Sequence, residues 1–140
     1  VKYIRLVSLF FFIFGCSDES SVIKLHINSL LHDDSSKMWM VEKELIDGKD
    51  HAPENINFRT VITFYNDFKF AEQPLNTLGN RPPKYGIFEV GSQNATITFV
   101  IDKKENVFIV ESYSKQEIIL KTEEGRGERI YLQLIPLPKI

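Results

Sequence analysis

Cys16 is the only thiol in the 140 residues, and it follows Gly15 at the end of an apolar run. A lone cysteine offers a nucleophile but has no disulfide partner within the chain. The other groups suited to metals or to proton transfer near neutrality are His26, His32 and His51. His32-Asp33-Asp34 is the densest run of potential ligands. It falls at the expected end of a helix, where a solvated, cationic His already suits the helix dipole. His26 and His32 stand six apart and do not share a helix face. Glu42 and Glu44 alternate along an expected strand and so point to one side. Two carboxylates could divide acid and base roles, but the polar outer face of a strand gives the same spacing. No Gly-x-Ser-x-Gly string occurs, and Gly125-Arg126-Gly127 lacks the following helix that a phosphate loop needs. No nucleophile, base and orienting acid come together. No catalytic residue, metal site or cofactor is expected.

The residues before Cys16 carry an address. Lys2 and Arg5 form a basic head, residues 6–14 are apolar apart from Ser8, and Gly15 stands before Cys16. That is the layout of a secretory signal peptide, and the run is shorter than the roughly 20 residues that span a bilayer. Ile13-Phe14-Gly15-Cys16 resembles the lipobox of bacterial lipoproteins, with Phe14 where that family carries a small or polar residue. The resemblance implies a diacylglycerol on the Cys16 thiol, cleavage before Cys16 and acylation of the new N-terminus. An ordinary signal peptide with an incidental cysteine is the alternative. The chain divides into a signal peptide (1–15), a lipidated Cys with a tether (16–21) and one domain (22–140). Ser17, rather than Asp, after the Cys resembles the outer-membrane sorting signal of Gram-negative lipoproteins. Ser17-Asp18-Glu19 resembles a surface-export string, although any solvated acidic spacer would look the same. The expected location is the cell envelope, as an outer-membrane lipoprotein facing the periplasm or the exterior.

Lys and Arg number 17 and Asp and Glu 19, a net charge of −2 with no basic run, which argues against a nucleic-acid partner. Eleven Phe and five Tyr favour strands. Ile23, Ile27, Leu30 and Leu31 recur at helical spacing within 22–32, and Ser20 or Ser21 could cap that helix. From Lys37 onward the period becomes two. Strands are expected over about 39–45, 58–65, 68–71, 85–90, 95–101, 107–111, 117–122 and 128–135. The longest irregular loop is expected over 72–83, with Arg81 placed to cover a mouth. No helix of crossover length lies between these strands, so the sheet must be antiparallel. Eight meandering strands avoid exposed edges by closing into a barrel.

Several strings in this order resemble the lipocalin-like lipoprotein domains of Gram-negative bacteria. They are Ser35-Ser36-Lys37-Met38-Trp39 after a short helix, Ile62-Thr63-Phe64-Tyr65-Asn66-Asp67-Phe68, Gly86-Ile87-Phe88, and the hairpin from Ile109 to Lys121. Phe68 stands where the family has Gly in a turn, and Phe88 stands where it has Trp. The resemblance implies an all-β, antiparallel meander barrel of about eight strands, lipocalin-like, with one short N-terminal helix. It also implies a module that binds a small apolar ligand or an envelope partner. Trp39, Phe64, Phe88 and Phe99 are the candidate cavity walls, and each could equally be a core anchor. An eight-stranded barrel either fills with side chains or holds one small ligand. The filled form, a protein-interaction or inhibitor module without a small-molecule ligand, is the alternative function.

Overall fold

A computed structural model of the chain describes residues 19–91, 95–125 and 127–138, with side chains from Ile23 onward. The basic head, apolar run and Cys16 lie outside the described residues. Helix α1 spans Glu19–His32. It therefore starts before the expected 22, and Ser20 and Ser21 are helical rather than capping residues. Its apolar residues Ile27, Leu30 and Leu31 are buried.

Among the described residues nine strands follow: β1 (Ser36–Ile46), β2 (Lys49–Asp50), β3 (Thr60–Tyr65), β4 (Lys69–Pro74), β5 (Lys84–Val90), β6 (Thr96–Ile101), β7 (Lys104–Tyr113), β8 (Ile118–Lys121) and β9 (Ile130–Pro136). Each strand from β3 to β9 pairs antiparallel with the next, β1 pairs with β3, and β9 returns to β1. The result is a closed antiparallel meander barrel of eight strands, with the two-residue β2 added on β1. Closure leaves the barrel strands without a free edge of the kind that invites pairing with other chains.

Hairpin chemistry fixes the register. Asp102 and Lys103 both adopt positive φ between the paired Ile101 and Lys104, a two-residue primed turn. Asp47-Gly48 does the same between Ile46 and Lys49. The β3–β4 turn is tighter than a Phe-containing turn should allow. Phe68 sits at φ 64 and donates its N–H to the Tyr65 carbonyl, taking the left-handed position that Gly normally fills.

Alternation sends one residue in two into the barrel. The inward set is Trp39, Val41, Ile62, Phe64, Phe70, Phe88, Val90, Ile97, Phe99, Phe108, Val110, Ile118, Leu120 and Leu134, and α1 adds Ile27 and Leu31 to it. The helix closes the end of the barrel where β1 begins. There the Trp39 indole N–H donates to the Leu31 carbonyl at 3.0 Å, joining the last turn of α1 to the first strand. Phe58 falls at the start of the strand expected over about 58–65. Instead it lies in a 3-10 turn (Ile56–Phe58) before β3 and is 55 % exposed.

Candidate functional site

The two ends of the barrel differ in kind. Below its middle, five phenylalanines interlock. Phe64 meets Phe88 edge-on at 5.1 Å between centroids, Phe70 meets Phe99 at 5.1 Å, and Phe99 meets Phe108 at 5.8 Å. Edge-to-face contacts of this kind hold rings in fixed positions. With Trp39 and the α1 side chains they fill the end under the helix.

The opposite end is open. Ile62, Phe70, Glu72, Phe99, Ile101, Asn106, Phe108 and Leu132 line a recess of about 190 Å³. Its floor is the upper side of the Phe cluster, and its rim carries Glu72 and Asn106. A second cleft of about 390 Å³ adjoins it, formed by Thr60, Glu72, Gln73, Pro74, Thr77, Arg81, Pro82 and Lys84. Glu72 lines both, so the apolar recess and the cleft meet at that residue.

Of the expected cavity walls, Phe99 lines the recess, whereas Trp39, Phe64 and Phe88 sit in the packed half. The 72–83 loop is shorter than expected, because β4 runs on to Pro74 and carries Glu72 on a strand. The remaining residues fold back against the outer wall. There 78–83 form a groove with Met38, Thr63, Tyr65, Ala71 and Gln73, leaving the mouth uncovered.

A β-bulge builds the rest of the rim. The β1–β9 register slips between Val41 and Lys43, so Glu42 and Glu44 do not share the outer face expected from their spacing. Glu42 pairs with Arg59 at 2.8 Å. Glu44 lies opposite Leu132, on the side that faces the recess. Burial holds the Glu72 carboxyl above its usual range; the nearby Lys84 ammonium opposes that shift and the Glu44 carboxylate adds to it. Arg59 is engaged by Glu42 and the Pro53 carbonyl, while the Arg81 guanidinium faces the cleft with no side-chain partner among the described residues. Gln73 presents a buried carbonyl oxygen without a hydrogen-bond donor. The mouth thus offers an apolar floor, one reluctant acid and two cations.

His32 departs from expectation. It is 8 % exposed rather than solvated, and its Nδ1 accepts the Asp34 backbone N–H at 3.0 Å. Among the described residues no three His, Cys, Asp or Glu side chains converge as a metal site would require. Glu72, Lys84 and Asn106 were not singled out from the sequence, and Glu44 was, but on the outer face. Glu72 had a signal, since Phe70 and Glu72 continue one alternation. The position of Glu44 depended on a bulge that no residue type announces. No family model matches the chain, and no curated protein matches it.

Proposed function

We propose that this is a lipid-anchored, lipocalin-like binding protein of the bacterial envelope, and that it holds a small amphipathic ligand in the open mouth. The observation that carries this reading is the apolar recess beside a cleft of polar and charged side chains, the two sharing Glu72. A ligand would place a short apolar end on Phe99, Phe108, Ile101 and Leu132 and its polar end among Glu72, Arg81 and Lys84. The recess is small beside the roughly 300–1,000 Å³ of sites for drug-sized molecules, so the buried part is short. The lipobox-like Ile13-Phe14-Gly15-Cys16 supports the anchor, and Ser17 supports the outer membrane. Among the described residues the mouth brings no nucleophile against a base, which favours binding over catalysis.

An anionic naphthalene-sulfonate probe tests the site. Its fluorescence should rise on adding the protein and fall as a short-chain alkyl carboxylate displaces it. Ile101→Trp should abolish the rise without lowering the unfolding midpoint. An unchanged signal in a folded Ile101→Trp protein would place binding elsewhere.

The filled half favours a second reading. Interlocked phenylalanines that occupy most of the interior suit a rigid module that presents its loops to an envelope protein. In that case neither the probe nor a retained small molecule would bind at the mouth.

A further inference from the structure

We infer that the anchored protein rests on the bilayer through the α1 end of the barrel, with the ligand mouth turned away from the membrane. The inference depends on the lipid at Cys16 proposed above. Ser17 and Asp18 alone separate Cys16 from the first residue of α1. Three residue steps reach at most about 11 Å. β1 runs from Ser36 beside α1 to Ile46 at the mouth. Ten steps of about 3.3 Å, tilted as barrel strands are, put the mouth about 25 Å from the helix end. Because α1 lies across that end, with Ile27 and Leu31 in the core and His26 against Tyr113, a leash this short ties the α1 end of the barrel to the lipid.

The surface at the α1 end fits contact with a bilayer. Leu25 is 70 % exposed on the side of α1 opposite its buried Ile27 and Leu31. The β3–β4 turn stands at the same end, because Asn66 donates its backbone N–H to the Ser35 carbonyl and its side-chain amide to the Asp34 carbonyl. Its Phe68 is 49 % exposed in a backbone conformation that disfavours large side chains. Its ring packs on Phe88 at 6.0 Å between centroids, and its exposed half adds an apolar edge to that end of the barrel. Lys24 and Lys69 border the same groove as Phe68, together with Asp67, which pairs with Lys69 at 3.6 Å, and with Glu89 and Glu105 farther along. Lysines so placed can lay their stems on lipid and keep their ammonium groups in the headgroup layer.

The orientation narrows the ligand class. A mouth facing the aqueous space cannot draw molecules sideways out of its own leaflet. Its ligand arrives through water, as a short single-tailed amphiphile rather than a two-chain lipid.

The test uses the full chain made in a Gram-negative host. Lipid on Cys16 leaves an introduced cysteine as the only free thiol. Leu25→Cys, Phe68→Cys and Glu124→Cys proteins would each carry a bimane fluorophore. Each would be reconstituted into phosphatidylethanolamine–phosphatidylglycerol vesicles containing nitroxide-labelled lipid. The expected result is loss of most fluorescence at positions 25 and 68 and none at 124, in the β8–β9 turn of the mouth end. Equal quenching at all three, or quenching at 124 alone, would overturn the orientation and leave the anchor standing. An intact mass without a diacylglycerol adduct would remove the anchor and the orientation together.

Discussion

Gly86 shows how little room the interior leaves at single positions. A Cβ there would lie 2.6 Å from a Phe70 ring carbon and 2.6 Å from the Val100 carbonyl oxygen. The ring could tilt, but the backbone oxygen cannot move without disturbing the β5–β6 pairing. Gly86→Ala should therefore cost about 1–3 kcal/mol, read as a lower urea midpoint; an unchanged midpoint would mean the sheet yields easily. Glu72 gives a pH signature. Its carboxyl is harder to ionise in the folded chain than in the unfolded one, chiefly through burial. The stability that this group contributes is complete below the ordinary glutamate value near 4.5 and is lost as pH rises through the raised folded value. Glu72→Gln should flatten that fall and leave the variant the more stable protein at neutral pH. A wild-type-like decline in Glu72→Gln would assign the pH dependence to another group. At this scale the sequence was readable where residue type and alternation agreed, as for Phe64, Phe88 and Phe99. It was unreadable where a neighbour decides, as when Phe70 demands a glycine opposite.

Elements were more legible than their ends. The change from a period near 3.6 to a period of two at Lys37 separates helix from sheet. The turn residues Asp47-Gly48 and Asp102-Lys103 mark hairpins. Two departures are physical rather than accidental. The bulge in β1 is a property of how β1 meets β9, so nothing local in Val41-Glu42-Lys43 announces it. The 75–83 segment is loop-like by composition, but its resting place depends on an outer wall whose Thr63 and Ala71 need cover. The plug helix hangs on one indole. Trp39→Phe removes the hydrogen bond to the Leu31 carbonyl and should cost about 1–3 kcal/mol. Amides of 27–32 should then exchange with solvent faster while β5 to β7 keep their protection. Uniform acceleration across the barrel would show that the helix and sheet open as one unit.

For the whole molecule, the eight-stranded closed meander followed from counting apolar alternations and finding no crossover helix. Whether such a barrel is empty or full did not follow, because that depends on how the rings nest. The structure divides the question by position: packed beneath α1, open at the far mouth. This division makes the mouth the place within the barrel where a ligand could bind. It also predicts that filling the recess changes occupancy while leaving the fold intact. Native mass spectrometry of the full chain, purified gently from its own host, addresses the mouth most directly when wild type and Ile101→Trp are compared. A small mass retained by wild type, lost on denaturation and absent from a folded Ile101→Trp protein is the expected result. Bare protein in both, or the same adduct in both, would contradict binding in the recess.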